Sequence, residues 1–188
     1  MTISKKIKAR INGFDENYVF TITDFSDIAV AKTVSKTLDR LCGNLEIKKL
    51  ARGLFCKYSA NALDPGQVAF AIARANNWTI VPCGDTAKYF FGMIPAPKKW
   101  SFVTNGTYRD YTFKDFTISF RHTSDNMMSK ISKTTALVVQ VIKTYGQGKV
   151  PQRIKEKLSR FTEREKQILR KETVFITEWI ATEIKKCL

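Results

Sequence analysis

The chain has 188 residues, 44% of them hydrophobic and 26% charged. At about 100–200 residues per domain it holds one domain or two small ones, and its composition excludes a disordered tract or a collagen-like repeat. Thirty-two Lys and Arg against 17 Asp and Glu leave a net charge of +15, an excess that points to nucleic acid, an anionic membrane or an acidic protein as partner.

No apolar run approaches the roughly 18–20 residues that span a bilayer. Met1 to Asn12 carries Lys5, Lys6, Lys8 and Arg10 with no apolar segment behind them, so no secretory signal is expected. Cys42, Cys56, Cys83 and Cys187 are widely spaced, and there is a single His. Neither a zinc site nor a disulfide framework is expected, and free thiols without an export signal suggest the cytoplasm. No cofactor and no metal are expected.

In chain order, Ile3, Ile7, Ile11 and Phe14 recur at helical spacing, with basic residues mostly between them. That is an amphipathic first helix. Thr21 and Asp24 form a capping box for a short second helix at about 22–27. Val34, Leu38 and Leu41 mark the buried stripe of a third helix, which Gly43-Asn44 ends. Lys32, Lys36, Asp39 and Arg40 fall on its opposite face, with Thr33 at the border. Leu45 to Leu50 alternates as a strand, Ala51-Arg52-Gly53 turns, and Leu54 to Tyr58 returns.

Asn61 to Pro65 reads as a boundary, with Asp64 as a cap and Pro65 at the first helical position. This separates residues 1–61 from 62–188. Val68, Ala69, Ile72 and Ala73 then give a small-residue helical face. Trp78 to Val81 is a short strand, and 85–92 a helix ending at Gly92. Trp100 to Val103, Tyr108 to Phe113 and Phe116 to Phe120 are strands joined by Asn105-Gly106 and Lys114-Asp115 turns. The last third is helical. Leu137, Val138, Val141, Ile142 and Tyr145 form one stripe, closed by Gly146. Pro151 opens a helix with Ile154, Leu158 and Phe161. Thr162 and Glu165 make a second capping box. Ile176, Ile180, Ile184 and Leu188, with Trp179, mark a final helix.

Three helices followed by a basic hairpin is the order of a winged helix-turn-helix. The third helix packs by one stripe and leaves a polar, basic face for the major groove. Lys32, Thr33, Lys36 and Arg40 are the side chains left to reach DNA, with Lys36 near the centre of the free face. Lys48, Lys49, Arg52 and Lys57 on the hairpin are placed to meet phosphates, which fix register without reading sequence. The expected class is α+β: an N-terminal winged helix-turn-helix, then a small mixed-sheet domain closed by C-terminal helices.

The runs Phe25-Ser26-Asp27-Ile28 through Thr33-Val34, Leu38-Asp39-Arg40-Leu41, and Ile47 through Phe55 resemble the AbiEi-type antitoxin family. Its winged-helix signature has the form L-x-R-L … I-x-R-L-x-R-G-x-Y. Ala71 to Arg74, Pro82-Cys83-Gly84, Val103 to Gly106 and Phe120-Arg121-His122 extend the resemblance over nearly the whole chain. Asp39 stands where a polar uncharged residue is common, and Phe55 replaces the usual Tyr. The resemblance implies a non-enzymatic transcriptional autorepressor and antitoxin of a bicistronic toxin–antitoxin, or abortive-infection, system. Its partners would be double-stranded DNA of its own promoter and a nucleotidyltransferase-like toxin. The C-terminal region would carry the antitoxin role.

Other features carry bland and functional readings together. His122 lacks a visible nucleophile and orienting carboxylate, although Asp125, a candidate helix cap, lies nearby. Lys149 to Lys171 holds nine basic and three acidic residues. That stretch is a solvated face, a second phosphate-binding surface, or a docking face for an acidic partner. The aromatic strands Trp100–Phe120 are core, or they stack single-stranded bases; in the latter case the chain is an RNA-binding module using its basic surface.

Overall fold

The computed structural model describes residues 1–60, 63–124 and 126–188. The protein is a mixed α+β chain that divides into two compact units, Met1–Trp78 and Thr79–Leu188. The boundary expected at 61/62 and the cap expected at Asp125 lie outside the described residues.

The first unit contains α1 (Ile3–Asn12), β1 (Phe20–Thr21), a 3₁₀ turn (Ile22–Phe25), α2 (Ala31–Gly43), β2 (Ile47–Ala51), β3 (Leu54–Lys57) and α3 (Pro65–Ala75). Ile7 and Ile11 of α1 pack with Val34, Leu38 and Leu41 of α2 and with Phe20, Phe25, Ile47 and Phe55. The three strands form an antiparallel sheet in the order β1-β3-β2, with Phe20 opposite Phe55. Their rings stack at 6.1 Å, so one cross-strand pair joins the sheet to the core.

The short second helix is a single 3₁₀ turn. Its capping carboxylate does more than the sequence box suggests. Asp24 Oδ2 accepts from Thr21 N–H at 2.7 Å and from its Oγ1 at 3.1 Å. Arg74 on α3 also donates to both Asp24 oxygens, at 3.0 and 3.1 Å. This bidentate pair fixes α3 to the turn. Asp64 caps α3 by accepting from Gly66 N–H at 2.8 Å, and Pro65 stands in the first turn.

The end of α2 differs from the sequence expectation. Gly43 stays helical, and the left-handed residue is Leu45, with φ 58°. Glu46 N–H then reaches the Leu41 carbonyl at 3.0 Å. Leu45 is therefore the reversal after the helix, and the strand begins at Ile47.

The second unit contains β4 (Ile80–Pro82), α4 (Gly84–Phe90), β5 (Lys99–Thr104), β6 (Arg109–Thr112), β7 (Thr117–His122), α5 (Lys133–Tyr145), α6 (Gln152–Ser159), α7 (Glu163–Glu172) and α8 (Glu178–Lys185). Its sheet has the order β4-β5-β7-β6. β6 and β7 form an antiparallel hairpin through Lys114-Asp115. Asn105-Gly106 does not close a hairpin. It starts a connection that carries β6 to the far side of β7, and β5 and β7 pair in parallel. His122 Nδ1 donates to the Gly106 carbonyl at 2.7 Å and fastens this connection.

Val138, Val141 and Ile142 of α5 pack with Ile154, Leu158, Leu169, Ile180 and Ile184 from the following helices. Thr162 and Glu165 make the expected reciprocal box: Glu165 Oε2 accepts from Thr162 N–H at 2.8 Å, and Thr162 Oγ1 accepts from Glu165 N–H at 3.3 Å. Trp100, Phe102, Ile118 and Phe120 are all buried, so the three aromatics among them are core, whereas Tyr111, Phe113 and Phe116 are half-buried and Tyr108 is exposed. The four cysteines are free, and burial raises each thiol above its ordinary value. No helix among the described residues is long and apolar enough to cross a membrane.

Candidate nucleic-acid interface

The apolar stripe of α2 decides which of its side chains are free. With Val34, Leu38 and Leu41 buried, Lys32 and Lys36 stand exposed one helical turn apart on the opposite face. Thr33 is half-buried at the border. Its carbonyl accepts from Thr37 Oγ1 at 2.9 Å, a bond internal to the helix. Arg40 is exposed, and its Nη2 donates to Ser4 Oγ of α1 at 2.5 Å. Lys32 and Lys36 have no such partner among the described residues.

The start of α2 adds a feature that the sequence reading missed. Val30 occupies the N-cap, where Ser, Thr, Asp or Asn would supply a side-chain acceptor, and it is 73% exposed. Among the described residues the first N–H groups of α2 therefore have no side-chain acceptor from the N-cap position, where the helix dipole is positive. The readable signal was the apolar residue just before the helical pattern.

The hairpin cations divide by side. Lys48 and Lys49 are consecutive strand residues and point to opposite faces. Lys49 reaches back to α2: its Nζ lies 3.5 Å from Asp39 Oδ1 and 5.9 Å from the centre of the Phe55 ring. Lys48 donates to the Ala60 carbonyl at 3.1 Å and stands over the Tyr58 ring. Arg52 is exposed at the turn, where Gly53 takes φ 75°. That angle needs the missing Cβ. A break in pairing register between Lys49 and Ala51 bends the strand just before the turn. Lys57 donates to the carbonyls of Asn12 and Phe14, at 3.2 and 2.6 Å, and so ends α1 instead of facing outward.

Two ion pairs brace this framework. Arg10 of α1 forks onto Asp27 at 2.5 and 2.7 Å and donates to the Asp24 carbonyl at 2.9 Å. The Arg10 hydrogen bond holds the Asp27 carboxyl below its ordinary range and raises the guanidinium. Lys8 pairs with Glu46 at 2.7 Å, and that hydrogen bond lowers the Glu46 carboxyl. Of the seven candidate residues, Lys32, Lys36 and Arg52 make no ion pair or side-chain hydrogen bond among the described residues. Arg40, Lys48 and Lys49 are engaged within the protein, and Thr33 lies at the border of the face.

Among the described residues, no group of three or more His, Cys, Asp and Glu side chains converges as a metal site would require. The geometry here is that of a charged surface.

A family model described as a family of unknown function, DUF6088, matches residues 3–172. The chain belongs to DUF6088. The DUF6088 match begins at the first residue of α1 and ends at the last residue of α7, so it takes in the candidate interface and most of the second unit. No curated protein matches the chain.

Proposed function

We propose that the first unit of this DUF6088 member is a winged helix-turn-helix that binds duplex DNA, with α2 as the reading helix and the β2–β3 hairpin as the wing. The single observation that supports it is the free face of α2. Lys32 and Lys36 are exposed beside an uncapped helix start, in the order α1, β1, 3₁₀ turn, α2, β2, β3. Docking the N-terminal part of such a helix in the major groove brings side chains to base edges and the helix dipole to phosphate. Arg52 at the hairpin tip then serves as a phosphate contact. Asp39 is drawn toward Lys49, which offsets the repulsion its charge would exert on DNA.

The biological role we infer is that of a promoter-binding autorepressor and antitoxin, acting against a nucleotidyltransferase-like toxin. The sequence resemblance to AbiEi-type antitoxins supports this half of the reading. A base-stacking, RNA-binding sheet has less support, because Trp100, Phe102 and Phe120 are buried.

The test titrates the chain's own promoter fragment and a scrambled duplex at several salt concentrations. Loss of Arg52 should reduce the log–log salt slope by about 0.9 and weaken both duplexes alike. Loss of Lys36 should cost about 1–3 kcal/mol on the promoter and blur discrimination at one position. If Lys36→Ala and Arg52→Ala both leave affinity and slope unchanged, α2 and the hairpin are not the DNA face. The antitoxin half is tested by co-expressing the full chain with a neighbouring nucleotidyltransferase-like gene product. Failure to rescue growth would remove that role.

A further inference from the structure

The basic stretch after Lys149 lies along a groove in the second unit that the DNA reading does not use. Residues 89–95 leave the last turn of α4, pass through Gly92 and run to Pro95. Tyr89, Phe90, Met93, Ile94, Pro95 and Arg153 line an open cavity of about 610 Å³. Past Gly92 and Arg153 it continues into a second cavity of about 460 Å³, walled by α6. Both are in the size range of ligand sites, about 300–1,000 Å³.

One wall is aromatic and held in place. Phe90 is 40% exposed, yet its ring is braced edge-on by Tyr89 at 5.5 Å and by Trp100 at 5.8 Å. A braced, exposed ring offers a flat apolar face at little entropic cost. The other wall is cationic. α6 buries Ile154 and Leu158 in the core, so Arg153, Glu156, Lys157 and Arg160 share the face toward the groove.

The three cations on that face are not equivalent. Lys157 is committed to the protein: it donates to the Phe91 carbonyl and stands 5.1 Å over the Phe91 ring. Gly92 makes room for it, since a Cβ there would stand 2.6 Å from Lys157 Nζ. Arg153 and Arg160 are exposed and make no ion pair among the described residues, although Glu156 lies on the same face. Guanidinium forks match phosphate oxygens, and an aromatic face matches a nucleobase.

We infer that this groove binds a nucleotide unit, with the base on the Phe90 face and the phosphate between Arg153 and Arg160. The unit comes either as a free mononucleotide or as a residue of a single strand. An inorganic anion alone would leave the aromatic wall unused. An apolar partner would leave two arginines desolvated without a counter-charge.

The experiment titrates the full-length protein with AMP, UMP, a short single-stranded oligonucleotide and inorganic phosphate, following tryptophan fluorescence and amide chemical shifts. Either mononucleotide or the oligonucleotide should bind, and the choice between them identifies the source. The combined change Arg153→Gln, Arg160→Gln should weaken that binding at least about tenfold, as should Phe90→Ala. The arginine pair lies outside the core, so its unchanged melting temperature keeps the test valid if Phe90→Ala perturbs the fold. The DNA-face changes Lys36→Ala and Arg52→Ala should leave groove binding intact, which separates this site from the duplex reading. No binding of any nucleotide, binding unaffected by the arginine changes, or competition by phosphate at equal concentration would each overturn the proposal.

Discussion

Asp39 of α2 and Lys49 of β2 face each other across the helix–hairpin junction, with Oδ1 and Nζ 3.5 Å apart. Both side chains are about half exposed, and Ser35 Oγ also donates to Asp39, at 3.5 Å. The one acidic residue on the outer face of α2 is thus turned toward the hairpin. An exposed pair of this kind contributes about 0.2–1 kcal/mol to stability. On the proposed duplex-binding reading its larger consequence is for charge: Asp39 occupies a cation that would otherwise be available to phosphate.

Asp39→Asn should therefore tighten binding to duplex DNA regardless of sequence. It removes one negative charge and releases Lys49. If Lys49 gains a phosphate contact, the log–log salt slope should steepen by about 0.9. Thermal stability should change little. Fluorescence anisotropy with a mixed-sequence duplex at several salt concentrations reads both quantities. Weaker binding by the variant would show that Asp39 is needed to position the hairpin.

Leu45→Gly should stabilise the first unit. A non-glycine residue in the left-handed region costs about 1–2 kcal/mol, and glycine returns about 0.5–1 kcal/mol of that as extra chain entropy. Leu45 is 62% exposed, so little apolar burial is lost. The expected net gain is about 0.5–1 kcal/mol, read as a higher urea midpoint. Leu45→Ile, which adds a β-branch at the same φ, should shift the midpoint the other way. A lower midpoint for the glycine variant would mean that the Leu45 side chain contributes packing that its exposure does not reveal.

The contrast between α2 and its surroundings shows what the sequence can carry. The Val34, Leu38, Leu41 stripe and the pairs Thr21–Asp24, Asp64–Pro65 and Thr162–Glu165 are local, and local chemistry decides them. The parallel β5–β7 pair was hidden because Asn105-Gly106 carries the strongest short-range hairpin signal. Long-range pairing and burial of Trp100, Phe102, Ile118 and Phe120 outweighed it. The basic face was legible as a set of charges, but not as a set of free charges. Lys48 and Lys57 end on backbone carbonyls, and Arg40 on Ser4, through contacts that no periodicity encodes.

Glu172→Ala should destabilise the second unit by about 1–2 kcal/mol. At the end of α7, Glu172 reaches the start of α5. Both of its oxygens accept from Ser132 N–H at 3.0 Å, and Oε2 also accepts from Ser132 Oγ at 2.9 Å. Ser132 in turn caps α5 by accepting from Thr135 N–H. Bonds to a charged acceptor are worth about 1.5–3 kcal/mol, reduced here by partial exposure. Glu172→Gln keeps an oxygen acceptor and should lose less. Hydrogen exchange should speed up first at the amides opening α5. Additivity of Glu172→Ala and Ser132→Ala in a double-mutant cycle would show that the two side chains do not act together.

Acid should loosen the first unit through Asp27. The Arg10 hydrogen bond depresses the folded-state carboxyl, while in the unfolded chain Asp27 titrates near its ordinary value. Between those two values the unfolded state binds more protons, so stability rises with pH there. The contribution is therefore complete above the ordinary aspartate range and is lost as pH falls through the depressed folded value. Asp27→Asn removes that titration. The variant should melt below the wild type at neutral pH, and the gap should narrow steadily as pH drops below about 4. Because the pair is solvent-exposed, added salt should narrow the same gap at neutral pH. Thermal melts from pH 2.5 to 7 at low and high salt measure both effects. A gap that stayed constant across the acid range would show that Asp27 acts by packing or backbone geometry, not by its charge on Arg10.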